Sequence, residues 1–284
     1  MRTVRGTAHA VGVVLAHDIT LLAAALTYYT VLSLVPALLV VVAILGLAGL
    51  SPSTVDSLLE SLGSLGAPWA AEAVSAALDS VVQSSSSGLV LIAGLAVALW
   101  SASAYVGAFM AASDRIHDVP VRRPFWQGLP LRIGLALLLL VVLSVTAAAV
   151  ALVGPFGDWV SEATGIGTGP LRVWTWIKWP LLLGLGLVLL LLLYELAPSR
   201  RPPAPWRVLP GAVCGLGLWL VASAGFTFYL ERFSSYDRVY GTLGAAVAFL
   251  VWAWLLNLGV LLGAELDAAL ERRHTARREG AAAG

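Results

Sequence analysis

Six stretches of the chain contain no Asp, Glu, Lys, Arg or His: 19–55, 80–113, 133–157, 179–194, 208–230 and 239–264. A bilayer core about 30 Å thick needs roughly 20 predominantly apolar residues in helix. Five of the runs exceed that length, and the fourth reaches it when extended. The pattern predicts an all-α, polytopic membrane protein with six transmembrane helices, at about 21–49, 89–113, 131–153, 173–197, 209–230 and 241–267. Pro36 inside the first span removes a backbone donor and predicts a kink. Pro130 and Pro210 stand near the starts of the third and fifth spans, where a missing N–H costs nothing. The fourth span takes in Lys178 and Glu195, each close enough to an end to snorkel toward water.

Between the first two spans, 50–88 predicts an external helical hairpin. Ser53 and Asp56 form a capping pattern ahead of Leu58, Leu59 and Leu62. Pro68 opens a second helical stretch with an apolar face from Trp69 to Val82. The expected organisation is a segment 1–20, a six-helix membrane domain 21–270 and a disordered tail 271–284. Lys and Arg in the flanks set orientation. Thirteen of the seventeen collect on one side, from Arg2 and Arg5 through Arg115, Arg122, Arg123, Arg132, Arg200, Arg201 and Arg207 to the Arg272–Arg278 group. Arg172, Lys178, Arg232 and Arg238 make up the other. The asymmetry puts both termini in the cytoplasm.

Composition narrows the function classes. Of 284 residues, 59% are hydrophobic and 12% charged, against roughly 25% charged in an ordinary soluble domain. So few charges could not solvate a globule of this size. The single cysteine, Cys214, excludes an internal disulfide framework. Four histidines, His9, His17, His117 and His274, are scattered and lack metal-ligand spacing. Neither a Walker-type loop, a dinucleotide fingerprint nor a Ser-His-Asp arrangement stands out. The expectation is no enzyme, no catalytic residues, no metal and no cofactor. The arginines of the short loops are explained by topology, and no nucleic-acid partner is expected.

The polar residues near or inside the spans are the candidates for function. Tyr28 and Tyr29, with Thr27, Thr30 and Ser33 beside kinking Pro36, fit either an opened polar segment at a substrate site or an aromatic belt with ordinary packing. Asn257, Leu261 and Glu265 share a helix face, and Asn257 lies about two turns inside the bilayer. It either bonds a neighbouring helix or lines a substrate path. Trp100, Trp219 and Trp252 lie within spans, where an indole N–H wants a partner, and are expected to face the bundle interior. Tyr240 stands at the outer start of the sixth span with Tyr236. The substrate-path candidates are thus Tyr28, Tyr29, Ser33, Pro36, Trp100, Tyr240, Trp252 and Asn257. Asp114, Arg115, Glu195, Glu265 and Asp267 gather near the cytoplasmic ends as a gate, a proton-coupling network or a set of static pairs. Gly211/Gly215 and Gly259/Gly263 have the spacing that lets helices approach closely.

Several segments then resemble a known family. The first span carries Ala23-Ala24-Ala25-Leu26-Thr27-Tyr28-Tyr29-Thr30, with Ser33-Leu34 and Pro36. The second carries Leu99-Trp100-Ser101 and ends in Asp114-Arg115-Ile116, followed by Arg123-Pro124-Phe125-Trp126. Later come Leu196-Ala197-Pro198, Leu209-Pro210-Gly211-Ala212, Tyr240-Gly241-Thr242-Leu243-Gly244-Ala245 and Gly263-Ala264-Glu265-Leu266. The pattern, over about 20–270, resembles the YihY/BrkB family of bacterial inner-membrane proteins. The resemblance implies a six-helix fold in the bacterial cytoplasmic membrane. It implies less about activity, since members have been labelled a ribonuclease, a serum-resistance factor and a transporter. Where the family carries an Asn at the end of the second span, this chain has Asp114, so the role of that amide does not transfer unchanged. The leading expectation is a transporter or exporter of an amphipathic metabolite or lipid-like substrate. The alternative is a non-transporting scaffold in envelope assembly. Membrane lipids and an unidentified small-molecule or lipid substrate are the expected partners, with a homo-oligomer left open.

Overall fold

The structure is a computed structural model and describes residues 18–47, 72, 75, 87–119, 123–151, 169–199, 205–232 and 237–282. Six long helices account for nearly all of them: α1 (Ile19–Leu47), α2 (Ser87–Ile116), α3 (Phe125–Ala151), α4 (Gly169–Leu196), α5 (Pro205–Arg232) and α6 (Asp237–Ala282). All six are long and apolar enough to cross a membrane. The hairpin expected over 50–88 lies outside the described residues, except for Glu72 and Ser75, both helical, and the first residues of α2.

The distribution of polarity is that of a protein solvated by lipid. The flanks of the bundle expose Leu21, Ile92, Val97, Leu137, Val141, Val188 and Val221, while Thr27, Ser101, Ser103, Asp114, Ser144, Asn257, Glu265 and Asp267 are buried. In water such an outer surface would be one large apolar patch. Within hydrocarbon it is the expected exterior, and the polar groups retreat to where other helices can bond them.

Several helices are longer than the charge-free runs predict, α3, α5 and α6 among them. Phe125 and Pro205 open α3 and α5 well before the expected starts, so Pro130 and Pro210 sit inside their helices and not at the first turn. Each entry places a Trp, Trp126 or Trp206, outward at the second position. An interfacial turn tolerates polar residues that a hydrocarbon run cannot, so the helix outruns the span. The tail expected to be disordered is instead the end of α6, helical to Ala282. Its composition explains the difference: Glu265 to Ala282 is rich in Ala, Leu, Glu and Arg, the strongest helix formers.

The pairing of α5 with α6 is the most extensive in the bundle, followed by α1 with α2. Gly211 and Gly215 of α5 face Gly259 and Gly263 of α6 at backbone contact. A Cβ at Gly263 would stand 2.6 Å from the Gly211 carbonyl and 2.9 Å from the Gly215 Cα. The Tyr194 hydroxyl of α4 enters this seam and donates to the Val260 carbonyl at 2.5 Å. Its phenol ring stacks on Phe109 of α2.

Candidate functional site

Two polar groups lie within the bundle, one at mid-depth and one at the end where α1 begins and α6 emerges. At mid-depth, Asn257 of α6 is 5% exposed. Its Nδ2 donates to the Ala253 carbonyl at 2.9 Å and to the Thr30 and Thr27 hydroxyls of α1 at 3.2 and 3.3 Å. Its Oδ1 accepts from the Tyr105 hydroxyl of α2 at 3.0 Å. The two threonines pass their own protons back to α1, to the Ala23 and Leu26 carbonyls. One amide thus ties three helices together, with both of its functions engaged.

The second group begins where α2 ends. Asp118 has φ of 50°, Val119 N donates to the Asp114 carbonyl and Asp118 N to that of Arg115. This is the paired bond pattern that closes a helix with a left-handed residue. Four other helices gather around this terminus. Just ahead of α1, Asp18 pairs with Arg115 at 3.0 Å. The Asp114 carboxylate accepts from the Ser199 backbone N–H at 2.5 Å and its hydroxyl at 2.9 Å, beyond the end of α4. Arg123, ahead of α3, donates to the Leu196 and Pro198 carbonyls at 2.7 and 2.8 Å, a cation on the negative end of α4. From α6, Arg272 bonds Glu265 at 2.8 Å, the Ile116 carbonyl at 3.1 Å and Asp118 at 3.6 Å. His117 Nδ1 contacts the Ser113 carbonyl at 2.9 Å, while its Nε2 stands 4.0 Å from Asp267. Both of those side chains are almost wholly buried.

These contacts order the helix ends. The starts of α1 and α3 and the ends of α2, α4 and α6 meet on one side, so the chain crosses back and forth. This is the side where arginine collects.

The residues singled out from sequence divide. Asn257, Leu261 and Glu265 do share a buried face. Asp114, Arg115 and Glu265 join the terminal group; Glu195 is half-buried and joins none of its bonds. Tyr28 is 64% exposed, edge-on to half-buried Tyr29 at 5.4 Å, and stands apart from the Asn257 bonds. Ser33 returns its hydroxyl to the Thr30 carbonyl, and α1 continues through Pro36. Trp252 turns toward α5, its Nε1 3.4 Å from the Ser223 hydroxyl. Tyr240 is in the first turn of α6. Trp100 corrects the expectation of burial: it is 80% exposed, on a stretch of α2 whose exposed neighbours include Leu95 and Val97. Its exposure reflects an outward helix face, which periodicity within a uniformly apolar run does not mark. Sequence reasoning assigned no role to Tyr105, Tyr194, Ser199 or Asp18, whose roles exist only through helices distant in the chain. Among the described residues no three His, Cys, Asp or Glu side chains converge as a metal-binding set.

Comparison with known proteins finds the profile of the virulence factor BrkB family matching residues 10–283. The chain is 29% identical to the ribonuclease-like protein YfkH of Bacillus subtilis over 255 residues, covering 88% of this chain and 89% of that one. It is 29% identical to a UPF0761 membrane protein of Vibrio campbellii, over 88% of this chain and 77% of the relative. A UPF0761 membrane protein of Xanthomonas campestris is 27% identical over 87% of this chain, which spans 56% of that longer protein. No solved structure matches the chain.

Proposed function

The chain belongs to the virulence factor BrkB family of membrane proteins, and from that premise we propose that it is a transporter or exporter of an amphipathic metabolite or lipid-like substrate, seated in the bacterial cytoplasmic membrane with both termini inside the cell. The observation that carries this reading is the group of ion pairs that, among the described residues, gathers at one end of the bundle. Asp18–Arg115 ties the start of α1 to α2, and Arg272, paired within α6 to Glu265, ties α6 to Asp118 at the end of α2. We read these pairs between converging helix ends as a gate in its closed form. Below it, α1, α2 and α6 meet through the hydroxyls and amide around Asn257, bonds that a substrate or water can replace. The family is one of membrane proteins and not an established enzyme family; the ribonuclease wording belongs to the name of the Bacillus protein. Positive-inside asymmetry supports the orientation.

The test is flux. The full chain in liposomes is expected to move at least one member of a broad panel of lipids and amphipathic metabolites, under a proton or sodium gradient. Glu265→Gln with Arg272→Gln should raise leak or alter rate, and Asn257→Leu should lower flux in folded protein. No movement of any panel member would count heavily against transport. A static scaffold is the second reading, favoured by the saturation of Asn257. It predicts that Tyr28, Asn257 and Glu265 substitutions are tolerated, while changes within 50–88 abolish function by losing a partner.

A further inference from the structure

The membrane-crossing window of α3, Trp126–Thr146, holds a single charged residue, Arg132. Its Nε donates to the Ser103 carbonyl of α2 at 2.5 Å. Arg132 itself stands six residues into that window, which opens at Trp126, roughly 9 Å of helix. The guanidinium occupies the place of a side chain at Gly107, where a Cβ would collide with its Cζ, Nε and Nη1. Glycine at 107 is therefore what admits the cation to this depth. Among the described residues no carboxylate lies within ion-pair distance of Arg132, and the Ser103 carbonyl is its hydrogen-bond partner. A guanidinium has five donors, so one bond leaves most of a costly intramembrane charge unanswered.

The surroundings specify what can answer it. Gly128 stands one turn before Arg132 on the same face of α3, and a Cβ there meets nothing within 4 Å. The face of α3 one turn before Arg132 is open at Gly128. On α2, Trp100, Ala104 and Gly107 share a face, and Trp100 presents its ring outward. We propose that the α2–α3 groove seats an anionic glycerophospholipid, its phosphate on the Arg132 fork and an acyl chain along Trp100. The guanidinium matches phosphate oxygens in geometry and charge. The exposed indole lies farther from the arginine-rich end of α2, where the chain of a lipid from that leaflet would run. The seat requires binding and not movement, so it stands apart from the transport reading.

The test uses the full chain in mild detergent with phosphatidylglycerol and phosphatidylcholine of matched chains, followed by native mass spectrometry. Wild type is expected to retain phosphatidylglycerol over phosphatidylcholine by about fivefold, the equivalent of one basic residue at an anionic surface. Arg132→Gln should erase that preference, and Arg132→Lys should keep part of it. Should Arg132→Gln not fold, brominated lipids decide the matter on the wild type. The fluorescence lost in Trp100→Phe should be quenched more by brominated phosphatidylglycerol than by the brominated choline lipid. Equal retention by wild type and Arg132→Gln, or equal quenching by the two lipids, overturns the proposal. Displacement of the lipid by millimolar glycerol phosphate also overturns it, because the seat would then belong to a soluble phosphate ester.

Discussion

Helix α6 packs on two partners by opposite means. Toward α5 it presents Gly259 and Gly263, and the backbones touch with Tyr194 wedged against them. Toward α1 and α2 it presents Asn257, and the contact is made of hydrogen bonds to Thr27, Thr30 and Tyr105. In lipid neither contact gains from expelling water, so close packing and interhelical bonds must hold the bundle. A backbone seam has one register and fails when it is spread by a methyl group. A bonded seam can exchange partners. The difference assigns the fixed part of the molecule to α4–α5–α6 and the adjustable part to α1–α2–α6.

The strongest way to break that contrast is Gly263→Ala. The new Cβ meets the Gly211 carbonyl and Gly215 Cα, neither of which can rotate away. Overpacking of this kind costs about 3 kcal/mol, and thermal unfolding in detergent should show it as a large drop in midpoint. Gly217→Ala is the control on α5. A Cβ there meets nothing within 4 Å, so its midpoint should stay within about 1 kcal/mol of wild type, the range of helix propensity. Equal losses in both would remove the distinction between the seams.

The bonded side continues at the end of α2, where Asp114 holds Ser199. Asp114→Ala strips the acceptors from a backbone N–H and a hydroxyl and should cost about 2 kcal/mol. Asp114→Asn should cost under about 1 kcal/mol, because an amide oxygen can still take the Ser199 N–H. A chemical-denaturation series of the three proteins checks the order; an Asn variant as unstable as the Ala variant would show that the charge itself is required.

Much of this architecture was legible in the chain, for one physical reason. Charge is costly in hydrocarbon, so charge-free runs mark six crossings, and helix is the form that satisfies their backbone. Where the solvent changes, the signal stops: the entries at Phe125 and Pro205 and the extension of α6 to Ala282 lie in or beyond the interface. Helical spacing also placed Asn257, Leu261 and Glu265 on one buried face. It failed for Trp100, because a run apolar on every side does not say which side meets protein. Arg132 escaped for a related reason. It adjoins the third run, at 133, and so reads in the sequence as a flank residue setting orientation. That it belongs to the membrane depends on Gly107 of a different helix making room.

The finest discrimination lies within the bonded seam. Asn257→Leu removes the bonds to both threonines and to Tyr105 and should cost about 1–2 kcal/mol, the range of interhelical polar contacts in lipid. Tyr105→Phe removes one of them and should cost roughly 0.6 kcal/mol. The two losses should overlap in the double variant, because Tyr105 has no Asn257 carbonyl left to bond. Tyr194→Phe, by contrast, acts through Val260 on the other side of α6, and its loss should add to that of Asn257→Leu. Additivity for one pair and overlap for the other is what two independent seams require. If Tyr194→Phe instead compensates or amplifies Asn257→Leu, α6 transmits strain from one partner to the other, and the fixed and adjustable halves are a single mechanical unit.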